Sequence, residues 1–69
     1  MPIVHISLVE GRSEAAVKSC VKAVAVTAHE TLGAPLRSIR VYATQVPAVH
    51  WAIGAHTKDE VAAQPEWGG

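Results

Sequence analysis

The feature that most constrains this chain is one helical stripe set between two short β-branched segments. Val17, Val21, Val24, Ala28 and Leu32 recur at spacings of four, three, four and four, which puts them on one face of a helix. Such a stripe needs an apolar surface to cover, and the flanking segments can supply it. Ile3 to Val9 reads as a strand, with Val4, Ile6 and Leu8 on one face and Ile3, His5, Ser7 and Val9 on the other. Ser38 to Gln45 reads as a second, alternating Ile39, Val41 and Ala43 against Arg40, Tyr42 and Thr44. Ser13 is a good N-cap, and Glu14 places a carboxylate in the first helical turn, where the helix dipole favours it. Gly33 stops the helix as a left-handed cap, and Pro35 prevents its resumption. Strand, helix and strand in this order predict an α/β fold, a right-handed crossover between two parallel strands.

Pro47 ends the second strand, and Val49 to Ala55, interrupted by Gly54, reads as a short hairpin or edge strand. Residues 58–69 read as a polar, irregular tail containing Pro65 and Trp67, with half a turn of helix at Asp59 to Ala63. The 69 residues make a single domain, and one this small buries too little of its own surface to be comfortably stable alone. Cys20 is the only cysteine, so no disulfide can help, and the four histidines have no ligand spacing with it that suggests zinc or another metal. Oligomerisation is the remaining support. An apolar content of 49%, high for so large a surface-to-volume ratio, agrees with apolar surface meeting other subunits.

Six basic residues balance six acidic ones, which leaves no electrostatic footprint for nucleic acid or an anionic membrane. No signal pattern opens the chain and no apolar run approaches the roughly 20 residues that span a bilayer, so a cytoplasmic location is expected. Cys20, beside the stripe, is expected to be a buried, inert thiol, and His29 and His56 to be surface histidines. His5 and Ser7 share a strand face without a nearby acid, which argues against a catalytic triad.

Pro2 carries the chemistry of most interest. An initiator methionine is generally removed before a small residue, and loss of Met1 would turn the Pro2 nitrogen from a tertiary amide into a secondary amine. An ordinary α-amino group has a pKa of about 8, and burial beside cations lowers it toward the range useful for taking a proton next to a carbonyl. If Met1 stays, that nitrogen is no base, and the chain reads as a non-catalytic binding or structural subunit. Arg12, after the first strand, and Arg40, early in the second, are rigid forks suited to carboxylates, although each also reads as an ordinary surface arginine. At about 3.3 Å per residue the first strand carries the chain more than ~20 Å from Pro2 before Arg12 appears, whereas parallel strands bring Arg40 near the Pro2 end. A site using all three must form between subunits.

The segments Met1-Pro2-Ile3-Val4, Leu8-Val9-Glu10-Gly11-Arg12-Ser13, Leu32-Gly33-Ala34-Pro35, Ser38-Ile39-Arg40-Val41 and His50-Trp51-Ala52-Ile53-Gly54 resemble the 4-oxalocrotonate tautomerase family over roughly residues 2 to 56. That resemblance implies a β-α-β subunit, usually assembled as a hexamer of dimers. It implies isomerisation of small unsaturated 2-oxo acids, 2-hydroxydienoates such as 2-hydroxymuconate, without a cofactor. By position, Pro2 would shuttle the proton and Arg12 of a neighbouring subunit would hold the distal carboxylate. Arg40 would engage the 2-oxo or 2-hydroxy group with its adjacent carboxylate. Trp51 would take the place of the family's aromatic residue and exclude water. Trp51 and Ile53 also read as interface packing, and Tyr42 as an interface aromatic or a pocket residue. Ala52 and Ala55 stand where many relatives have glycine, and Gln45 where an acid is common, so the hairpin path and pocket are expected to differ. Some relatives hydrate or dehalogenate unsaturated acids with a glutamate where this chain has Ile53, and Glu60 is the nearest downstream acid. A mixed hexamer with a related subunit is a further arrangement the resemblance allows.

Overall fold

The computed structural model describes residues 1–62. Its elements run in the order β1 (Ile3–Val9), α1 (Glu14–Leu32), a 3₁₀ turn at Leu36–Ser38, β2 (Arg40–Val46), a second 3₁₀ turn at Ala48–His50, β3 (Ala52–Ile53), β4 (His56–Thr57) and α2 (Lys58–Ala62). β1 and β2 pair in parallel without a bulge, from Ile3 opposite Arg40 to Val9 opposite Val46. α1 lies against this pair, and β3 and β4 form a separate antiparallel hairpin.

Helix α1 is delimited by its caps. The Ser13 hydroxyl accepts the Ala16 N–H at 3.1 Å, and the Gly33 N–H reaches the His29 carbonyl at 3.0 Å. Gly33 adopts φ 75°, which its missing Cβ permits at little cost. The His29 ring adds a second tie, donating from Nδ1 to the Ala34 carbonyl at 2.6 Å, so this histidine is half-buried and engaged instead of simply surface-exposed. Val17, Val21, Val24 and Ala28 are half-buried as the stripe requires, but Leu32 stays 68% exposed.

Three boundaries differ from the sequence reading. β2 starts at Arg40 because Leu36–Ser38 coils first, with the Ser38 N–H and hydroxyl both donating to the Pro35 carbonyl, at 3.0 and 2.8 Å. The hairpin is displaced toward the C-terminus: Pro47 starts a 3₁₀ turn where an extended segment was expected, and the strands are Ala52–Ile53 and His56–Thr57. Gly54 makes the reversal at φ 64°, while Ala52 and Ala55 keep negative φ and accommodate the path without glycine. Lys58–Ala62 is helical where an irregular tail was expected, close to the half turn read at Asp59 to Ala63; Pro65 and Trp67 lie outside the described residues.

The cause of that last difference is local. Thr57 and Glu60 have the spacing of a capping box, and the Glu60 carboxylate accepts the Thr57 N–H at 3.1 Å while the Thr57 hydroxyl donates to Asp59.

Burial within one chain is slight. Among the described residues only Ile39 and Val61 are buried, while Ile3, Leu36, Tyr42 and Val49 are more than half exposed. Cys20, expected to be buried, is exposed, because none of the described residues covers its side of α1. The Cα radius of gyration is 15.3 Å, against about 11 Å for a compact domain of this length. The sheet face turned away from α1 carries His5 stacked on Tyr42, ring centres 4.6 Å apart, with His5 Nε2 2.9 Å from the Thr44 hydroxyl. A two-stranded parallel sheet covered on one face only is an unfinished layer.

Candidate active site

The residues singled out in the sequence fall into two groups at opposite ends of the β1–β2 pair. At the start of the strands, the Arg40 N–H donates to the Pro2 carbonyl at 3.0 Å, which places Pro2 and Arg40 side by side. Pro2 is half-buried, and the Met1 that precedes it is 77% exposed. Arg40 Nη1 donates to the carbonyls of Arg37 at 2.7 Å and Ile39 at 3.2 Å, so the 3₁₀ turn before β2 holds the guanidinium at this end. Nε and Nη2 make no bond among the described residues and remain available to an acid.

At the far end, the Glu10 N–H continues the ladder to the Val46 carbonyl at 2.9 Å. The chain then turns through Gly11 and presents Arg12 just before the cap of α1. Trp51 arrives from the other side, because the 3₁₀ turn after Pro47 sends the chain back across the ends of the strands. Its N–H binds the Ala48 carbonyl at 3.3 Å, and its carbonyl accepts the Lys58 N–H at 2.7 Å. Arg12, Trp51, Ile53, Lys58, Ser7 and Val9 border a cleft of about 260 Å³. Arg12 also borders an apolar cavity of about 340 Å³ between α1 and the sheet, lined by Ile6, Leu8, Val17, Val21 and Ala43.

Seven paired residues at about 3.3 Å each separate the two ends by roughly 20 Å. Arg12 and Trp51 therefore meet each other but not the Pro2 of their own chain.

Lys58 is a cleft residue that the sequence reading overlooked, having placed it at the head of an irregular tail. The Thr57-to-Glu60 spacing was the available signal, since a capping box there begins a helix and turns its first residue back toward Trp51. Tyr42 stacks on His5 on the open sheet face, away from α1. Glu60, the acid nearest to a water-activating role, is already bound to the Thr57 N–H and lies 3.5 Å from His56 Nδ1. Among the described residues no group of three His, Cys, Asp or Glu side chains is placed to hold a metal ion, and no helix is long and apolar enough to cross a membrane.

The fold defines a small β-α-β subunit in which Pro2, at the start of β1, is seated beside Arg40. The sequence profile of the family described as "Tautomerase enzyme" matches residues 2–60. The chain is 39% identical over 57 residues to a 2-hydroxymuconate tautomerase of Stutzerimonas stutzeri, covering 83% of this chain and 90% of that protein. Its fold matches that of TomN, a 4-oxalocrotonate tautomerase homologue of the tomaymycin biosynthetic pathway, with a TM-score of 0.87 and 36% identity over 93% of this chain and 98% of TomN. It also matches a heterohexamer 4-oxalocrotonate tautomerase of Chloroflexus aurantiacus, with a TM-score of 0.82 and 28% identity over 87% of this chain and 97% of that one. The chain belongs to the tautomerase family and is an isomerase-type enzyme.

Proposed function

We propose that this enzyme tautomerises a small unsaturated 2-oxo acid, a 2-hydroxydienoate, with the Pro2 amine as its base once Met1 is gone and with no cofactor. In this mechanism the amine takes the proton of the 2-hydroxyl group, the electron pairs shift along the diene, and the ammonium returns the proton to carbon. Nothing is gained or lost overall. Arg40 engages the carboxylate and oxygen at the reacting end, where developing negative charge is best stabilised by a fixed cation. Arg12 of a neighbouring chain receives the distal carboxylate. Trp51 shields the site from water, which strengthens both electrostatic contacts.

The observation that carries this reading is the separation of Pro2 and Arg40 from Arg12 and Trp51 by the length of the strands. That separation supports a site at an interface, and a sheet only two strands wide, with Ile3 and Tyr42 more than half exposed on its uncovered face, favours such an assembly. The heterohexameric relative is a precedent for six chains, here of one kind or paired with a related subunit.

Two measurements test the proposal together. Intact mass of the purified protein is expected to lack one methionine, and Pro2→Ala is expected to keep its circular dichroism while losing proton transfer on 2-hydroxydienoates. Retained Met1 in an active preparation, or normal turnover by the folded variant, would refute it.

A further inference from the structure

Two cations border the cleft at the far end of the strands, and neither is paired with an acid among the described residues. Arg12 and Lys58 make no ion pair with any described residue. The carboxylates nearest to Lys58 along the chain are occupied elsewhere. Asp59 accepts the Thr57 hydroxyl, and Glu60 accepts the Thr57 N–H while facing His56. Lys58 is held in place by its backbone bond to the Trp51 carbonyl at 2.7 Å, and it is half-buried, unlike Asp59 and Glu60. Two positive groups that line one partly apolar cleft, without an acidic partner among the described residues, can each donate to an oxygen of a carboxylate that enters it.

We infer that Lys58 is a specificity-determining residue, forming with Arg12 a two-cation subsite that selects acids bearing a second carboxylate far from the reacting end. The inference deepens the proposed function and rests on its assignment of Arg12 to the acid's distal end. A monoacid leaves both cations unanswered. A diacid answers them together, so discrimination appears in binding and not in the proton transfer itself.

The test compares the wild-type enzyme with Lys58→Gln and Lys58→Arg on a 2-hydroxydienedioate and on the matching 2-hydroxydienoate monoacid. For Lys58→Gln the diacid-to-monoacid ratio of kcat/KM should fall about tenfold, the loss residing in KM, because one charge-assisted contact is removed. Lys58→Arg should keep most of the ratio. An unchanged ratio in Lys58→Gln overturns the inference. In parallel, adipate and hexanoate are titrated calorimetrically, which needs no turnover. If neither dienoate reacts but adipate still binds more tightly than hexanoate through Lys58, the tautomerase reading fails and the subsite stands. If the wild-type protein shows no preference for adipate, the subsite fails whatever the activity, and this arm decides the matter even where the Lys58 variants do not fold.

Discussion

Arg40 donates its main-chain N–H to the Pro2 carbonyl at 3.0 Å, so the backbone that presents the proline also carries the arginine beside it. Neither residue can shift along the sheet without the other. Side-chain substitution leaves that main-chain bond intact, and this separates chemistry from architecture in the variants that follow.

Arg40→Ala should fold and assemble while losing about a hundredfold in kcat/KM, the size expected when a charge-assisted contact to a reacting anion is removed. Arg40→Lys should recover little, because a single ammonium cannot reproduce the fork. Steady-state kinetics on a 2-hydroxydienoate, with size-exclusion chromatography as the folding check, reads both.

The shared site of the proposed function makes a complementation experiment decisive. Pro2→Ala and Arg12→Ala should each be nearly inactive alone, and co-expression should restore roughly a quarter of the wild-type activity if chains mix at random in a closed oligomer. A co-expressed mixture no better than its parents would place the whole site in one chain.

The cap of α1 gives a stability prediction free of packing. A methyl group at Gly33 would meet nothing within 4 Å, so Gly33→Ala tests the φ of 75° alone. It should destabilise by about 1 kcal/mol. Ser13→Ala should cost a similar ~1 kcal/mol through loss of the bond to the Ala16 N–H. Thermal denaturation at fixed protein concentration measures both.

The open sheet face bears on assembly. Tyr42→Glu places a charge among Ile3, His5 and Thr44, and should shift the protein toward smaller species with a Tm that rises with concentration. Sedimentation velocity with unchanged mass for the variant would exclude that face from the interface.

What could be read from the sequence was whatever repeats with a physical period or carries a turn residue. The Val17 to Leu32 stripe and the caps at Ser13 and Gly33 set α1, and alternation set the strands to within two residues. The errors lie where short-range hydrogen bonding competes with extended structure. Pro35 and Pro47 each start a 3₁₀ turn, which delays the next strand and moves the hairpin toward the C-terminus. Cys20 was placed by its neighbourhood on the helix, but burial depends on what lies opposite, and none of the described residues lies there. Pro2 and Arg40 were adjacent as soon as the strands were taken as parallel. Lys58 was missed because the Thr57-to-Glu60 spacing marks only the start of a helix, whereas its place in the cleft depends on the Trp51 carbonyl, a contact that no periodicity announces.

The hairpin and α2 hang from Pro47 as an appendage to the β-α-β layer. Under the proposed function, drift in residues 52–58 would retune which acids are admitted while Pro2 and Arg40, at the opposite end of the same chain's strands, keep their places. A scaffold divided in this way lets chemistry and appetite diverge at separate rates.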